Sequence, residues 1–195
     1  MRAYLELLTA TTGTCPTFDG TNFTAQDCNN GVPVHAGLLS HPGMNAHFFS
    51  NMAFRRTRWA QEIFACTTFP TESADEPEQL SDTAVYTTPW PFESIASLES
   101  GGDIDFLDYQ SVVCANCHAT INRIAPLFGY FDEDGQYQDE ISVLTPIAPD
   151  PVPTELEHWL VAGEGTAWRM DLDVASLPDL GQTMAEDPNV QACLA

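Results

Sequence analysis

Cys114-Ala115-Asn116-Cys117-His118 decides how this chain is read. Two thiols three residues apart, followed at once by an imidazole, form the arrangement used for covalent haem attachment. Two thioethers fix one edge of a porphyrin, and the adjacent imidazole binds the iron from the proximal side. With six Cys and five His in 195 residues, that five-residue coincidence is rare by chance. A structural zinc site needs a second ligand pair at comparable spacing, and neither Cys15 with Cys28 nor Cys66 with Cys193 supplies one. A thioredoxin-like redox pair needs a strand-to-helix context that the flanking residues lack. The motif therefore reads as haem c held by Cys114 and Cys117, with His118 as the proximal iron ligand.

The residues on either side of the motif fit that reading. A helix is expected to begin after Asp103 or Asp105 and to carry Phe106, Leu107, Val112 and Val113 straight into it. Downstream, the apolar run from Ile121 to Tyr130 is suited to lining a haem crevice. The turn that follows, Phe131-Asp132-Glu133-Asp134-Gly135, has the acidity of a calcium loop without the ligand spacing or closing Glu of an EF-hand.

Farther out, Thr11 to Asn30 reads as a Thr-, Asn- and Gly-rich loop behind a short amphipathic helix at Tyr4 to Leu8. His35 to His47 is too punctuated by Gly and Pro for a long helix. Periodicity predicts a helix from about Ala53 to Cys66, with Phe54, Ala60, Ile63 and Phe64 toward the core. Arg55, Arg56 and Arg58 at its start oppose the helix dipole, so they call for compensation, by surface acids or by haem propionates. Thr67 to Pro91 reads as a long spacer, followed by a short helix at Pro91 to Glu99. A helix is expected at Thr154 to Ala162. Near the end, Ser176-Leu177-Pro178-Asp179 is a capping arrangement for a helix with Leu177, Leu180 and Met184 inward, and Asp187-Pro188 restarts a last turn carrying Cys193.

Charge narrows the partners. Twenty-eight acidic residues against six basic ones, all Arg, give a formal net charge of −22. Such a field disfavours nucleic acid and anionic membranes, and a lysine ring around a haem edge is impossible in a chain without Lys. No apolar run approaches the length of a transmembrane segment. Glu6 interrupts what would be the apolar core of a leader, and haem joins this motif outside the bacterial cytoplasm. The chain thus reads as a processed piece of a longer exported precursor, periplasmic or extracellular. Cys15, Cys28, Cys66 and Cys193 then suit two disulfides, with Cys15 to Cys28 and Cys66 to Cys193 preferred over the other two connectivities.

The order of these pieces resembles the planctomycete-type cytochrome c proteins, whose C-terminal halves are linked domains of unknown function. HAGLLSHPGMNAH (His35 to His47) with RRTRWAQEIFAC (Arg55 to Cys66) is similar to that family's RAGLLT segment, basic helix start and helix-terminal Cys. CANCHATI is similar to its haem motif, FDEDGQYQ to its FD-x-x-G-x-Y turn, and LPDLGQTMAEDPNVQAC to its last helix with Cys. Asn122-Arg123 stands where the family has Asp-Pro and Ala125 where it has Gly, which implies a differently built segment after the proximal His. The resemblance implies a haem-carrying module and supplies no substrate.

A distal ligand decides between electron carriage and catalysis. Met170 lies 52 residues after His118, where class I cytochromes c place their distal Met. His47 is the alternative, with His41, Met44 and Met52 nearby; an open or water-bound site is the third case. The expected fold is mainly α: one cytochrome c-like helical haem domain over 1–195 with long irregular loops, residues 1–52 wrapping a helical core of 53–195. Its expected role is mono-haem electron transfer to redox protein partners, an electron carrier rather than an enzyme. The alternatives are a peroxidase-like or gas-binding haem protein using His41 or His47, and a haem-bearing subunit of a larger complex or polymer.

Overall fold

Helix α2 (Phe54–Ala65) and helix α3 (Ala115–Phe128) pack against each other and form the centre of the structure. The computed structural model describes residues 15–18, 23–26, 29–50, 53–69, 115–141, 144–145, 152–153, 165–169 and 171–195. The described residues are partly helical, and two-stranded antiparallel pairs accompany the helices. The helices expected at Tyr4 to Leu8, Pro91 to Glu99, before Cys114 and at Thr154 to Ala162 lie outside the described residues.

The segment read as a loop from Thr11 contains a hairpin instead: β1 (Cys15–Phe18) pairs with β2 (Phe23–Gln26), Cys15 opposite Gln26. Phe and Thr favour extended backbone, and Asp19-Gly20 is a turn signal, so the strand character was present in the residues. A 3-10 turn (Gly37–Ser40) and helix α1 (Pro42–His47) follow, as the Gly and Pro punctuation required. Later come the pairs β3 (Leu144–Thr145) with β4 (Val152–Pro153) and β5 (Ala167–Trp168) with β6 (Leu172–Asp173). Helices α4 (Leu177–Glu186) and α5 (Pro188–Cys193) close the chain.

The core draws on every described helix but α1's rim. Phe64, Ile124, Phe128, Phe131, Trp168, Leu180 and Met184 join Ala36, Leu39 and Met44 in one apolar cluster, so the segment 36–44 packs into the same core as the helices. Helix α4 presents the expected stripe, Leu177, Leu180 and Met184 all buried, and Ser176 caps it by accepting from the Asp179 N–H at 3.2 Å. Helix α2 departs from its apolar periodicity. Ile63 is 50 % exposed, whereas Arg56, Thr57 and Gln61 are buried beside Ala60 and Phe64.

Cys66, the residue that ends α2, is bonded to Cys193 at the end of α5 (S–S 2.00 Å, Cα–Cα 5.6 Å), the pairing preferred from sequence. It ties together elements 127 residues apart. The preferred partner of Cys15, Cys28, lies outside the described residues.

Candidate haem site

Cys117 and His118 fall in the first turn of α3, with Cys117 half-buried. Cys114, one residue before the helix, and the His118 side chain lie outside the described residues. On an α-helix, positions 114, 117, 118 and 121 share one face. The turns that continue this face are fully engaged in the core: Thr120, Ile121, Ile124 and Ala125 are all buried. Asn122 and Arg123 continue the helix without a break, and Pro126, which has no backbone N–H, lies within it. By its chemistry the donor set, two thiols and an imidazole within five residues at the start of α3, is of the kind that holds haem c.

The three Arg at the start of α2 take different roles. Arg58 makes the surface pair with Glu62 (2.6 Å) across one helical turn. Arg55 is exposed, 3.5 Å from the Phe49 carbonyl. Arg56 is fully buried and spends its guanidinium on four backbone carbonyls: Asn45 (2.8 Å), Phe128 (2.9 Å), Phe131 (2.6 Å) and Asp132 (2.7 Å). It also lies over the Phe49 ring, 5.3 Å from its centroid. Burial pulls its pKa down to about 10, opposed by the nearby Asp132 carboxylate. The cation that opposes its own helix dipole therefore complements the C-terminal end of α3. Sequence reasoning missed this because the acceptors are backbone atoms, three of the four more than 70 residues away.

The acidic turn after α3 is a backbone device. Asp132 Oδ1 accepts from the Asp134 and Gln136 N–H groups (3.0 and 2.8 Å), and Oδ2 accepts from the Gln138 amide at 2.7 Å. Its carboxylate is committed to shaping the turn. Gly135 has φ +74° and packs on Pro42 so closely that a Cβ would sit 2.1 Å from the Pro42 carbonyl oxygen. Phe131 and Tyr137 pair across the turn, and the Tyr137 N–H donates to the Asn30 carbonyl at 2.7 Å. Every fixed position of the FD-x-x-G-x-Y pattern thus has a structural reason.

Among the sixth-ligand candidates, Met170 and Met52 lie outside the described residues. His47 is exposed at the end of α1, edge-on to Phe48 with ring centroids 4.6 Å apart. His41 caps α1: its Nδ1 accepts from the Gly43 N–H at 3.1 Å, and burial lowers its pKa, which favours that acceptor. Met44 is core. Among the described residues no group of three or more His, Cys, Asp and Glu side chains gathers into a metal site.

The flanks of Met170 are firmly held. Strand β5 packs against α3. The buried carboxylate of Asp187 accepts from the Trp168 indole (2.6 Å), from the Asn189 N–H (2.8 Å) and from the Arg169 guanidinium. Arg169 itself holds a left-handed backbone (φ +62°). Asp187-Pro188 announced a helix start, but nothing in the sequence announced that its carboxylate would anchor Trp168 and Arg169, 19 and 18 residues upstream. Compared with known protein families, with curated proteins and with solved structures, the chain matches none.

Proposed function

We propose that this chain is a mono-haem c-type cytochrome that carries single electrons between protein partners outside the cytoplasm, in a cytochrome c-like helical haem domain of the planctomycete type. The observation that carries the reading is the CANCH motif at the start of α3, the helix whose later turns form the centre of the core. When bound, haem c supplies a one-electron iron couple. Cys114 and Cys117 would hold it by thioethers and His118 would bind the iron, while Ile121 and Ile124 extend the apolar surface that keeps water from the site. The Cys66–Cys193 disulfide supports an oxidising, extracytoplasmic location. No helix among the described residues is long and apolar enough to cross a membrane.

Met170 is the distal ligand in this proposal. The support is mechanical: Trp168 and Arg169 before it are locked to Asp187, and Leu172 after it pairs with Trp168. The test is expression with the haem-ligation machinery, followed by a denaturing gel stained for haem and by reduced and oxidised absorption spectra. Haem that stays with the denatured chain, and leaves it in Cys114→Ala/Cys117→Ala, is the expected result. A purified chain without covalent haem would end the proposal. Electron paramagnetic resonance of the oxidised form then separates His-Met from bis-His and high-spin iron.

A further inference from the structure

A cavity of about 400 Å³ opens between the segment 32–34, the end of α3 with its following turn, and the entry to α4. Its floor is made by Leu127, Phe131 and Leu177, all buried in the core. One wall is a pair of tyrosines: Tyr130 and Tyr137 stack at 5.9 Å with their planes 20° apart. Val34, 41 % exposed, and Ala175, also exposed, form the rim.

The walls are fixed before any ligand arrives. Tyr137 is pinned by its backbone bond to Asn30, and the Gln138 N–H donates to the Tyr130 carbonyl at 2.8 Å. On the opposite side, Ser176 caps α4 and fixes Leu177. A pocket whose sides are already ordered costs little conformational entropy to fill. Its size falls in the range of small-molecule sites, and apolar lining with a few polar groups is their usual composition.

We infer that this cavity is a binding site for a flat, uncharged aromatic molecule bearing an oxygen at its edge, independent of the haem reading. Flat aromatic walls select a planar partner by stacking. No Arg lines the cavity among the described residues, and a chain of net charge −22 disfavours an anion. The edge oxygen follows from the hydroxyl-bearing residues of the lining, Tyr130, Tyr137 and Ser176, whose O–H groups can donate a hydrogen bond. Burial, with Tyr130 and Asp139 beside it, raises the Tyr137 pKa, so its hydroxyl keeps its proton and remains a donor.

Calorimetric titration of the full chain with 2-naphthol at neutral pH tests this. The expected result is saturable one-to-one binding that Ala175→Trp or Val34→Trp, each filling the mouth from an exposed position, weakens by about ten-fold or more. Tyr137→Phe weakens it by several-fold, and 2-naphthalenesulfonate, the same rings with an anionic edge, binds at least about ten-fold more weakly. Circular dichroism spectra matching the parent establish that the plugged variants are folded, and Val34→Trp stands in if Ala175→Trp is not. Absence of saturable heat with 2-naphthol, equal affinity in both plugged variants, or equal affinity for the sulfonate each overturns the proposal.

Discussion

Replacing Arg56 by Met keeps the length and apolar stem of the side chain and removes every donor. Four backbone carbonyls, at 2.6 to 2.9 Å in the parent, then lose their partner at once. Each hydrogen bond from a charged donor is worth about 1.5–3 kcal/mol net, but the four share one guanidinium and are not additive. The gain from no longer burying a cation offsets part of the loss. The result is a cost of about 3–5 kcal/mol, a factor of at least about a hundred in the ratio of folded to unfolded chain. Arg56→Lys keeps the charge but cannot reach four acceptors in a plane, and should fall between. Urea unfolding measures both, and an unchanged slope with a lowered midpoint marks a pure loss of stability. The sign of the pH dependence is also set. The folded pKa, lowered by burial to about 10, and the still higher unfolded one both lie above neutrality, so Arg56 is charged in both states from pH 6 to 9 and the cost should be flat there. Only as pH rises from about 10 does the unfolded chain hold the extra proton and the parent recover part of its desolvation cost. An Arg56→Met variant within about 1 kcal/mol of the parent would refute the hub.

Gly135→Ala meets both a left-handed backbone and the Pro42 carbonyl, and should lower stability by about 2–3 kcal/mol or prevent folding, read as a drop in melting temperature. Cys66→Ser opens a loop spanning 127 residues, for which the chain-entropy limit is about 5 kcal/mol and common experience about 2–4; thiol reductant should reproduce the loss in the parent and do nothing further in a Cys66→Ser variant whose Cys15 and Cys28 are also Ser. His41 has a folded pKa below 6.5, so the unfolded chain binds its proton first as pH falls, and stability should decline below about pH 6.5. Asn at position 41 can still accept from Gly43, and His41→Asn should remove that part of the decline in urea midpoints measured from pH 7 to 5.

Local signals carried the end of the chain well. Ser176, Pro178 and Asp187-Pro188 mark helix starts through contacts within four residues, so α4 and α5 were legible with their inward stripe. The bounds of α2 were legible to one residue, but not its orientation. Apolar periodicity placed Ile63 inside, while the structure turns Arg56, Thr57 and Gln61 inward, because α2 faces the carbonyl-rich end of α3 and its turn. Hydrophobicity is a poor guide wherever the surface to be covered is backbone. The hairpin β1–β2 was missed for a related reason: its Thr and Asn content reads as loop until the pairing is seen. In the candidate site, the residues proposed to hold haem stand in five consecutive positions, so the proposal could be framed from sequence alone. Their supports were not legible, because Arg56 and Asp187 act on partners far away in sequence.

These two supports divide the labour around α3. Arg56 secures the far end of the helix and the turn beyond it, through Phe128, Phe131 and Asp132. Asp187 secures β5, which lies against the same helix, through Trp168 and Arg169. The disulfide then joins the ends of α2 and α5, the helices on which Arg56 and the Asp187 cap reside. A cation held by neutral carbonyls and a carboxylate held by an indole, an amide and a guanidinium are thus built into one covalently closed frame. In a chain with six Arg among 28 acids, two of the six, Arg56 and Arg169, are committed to this frame.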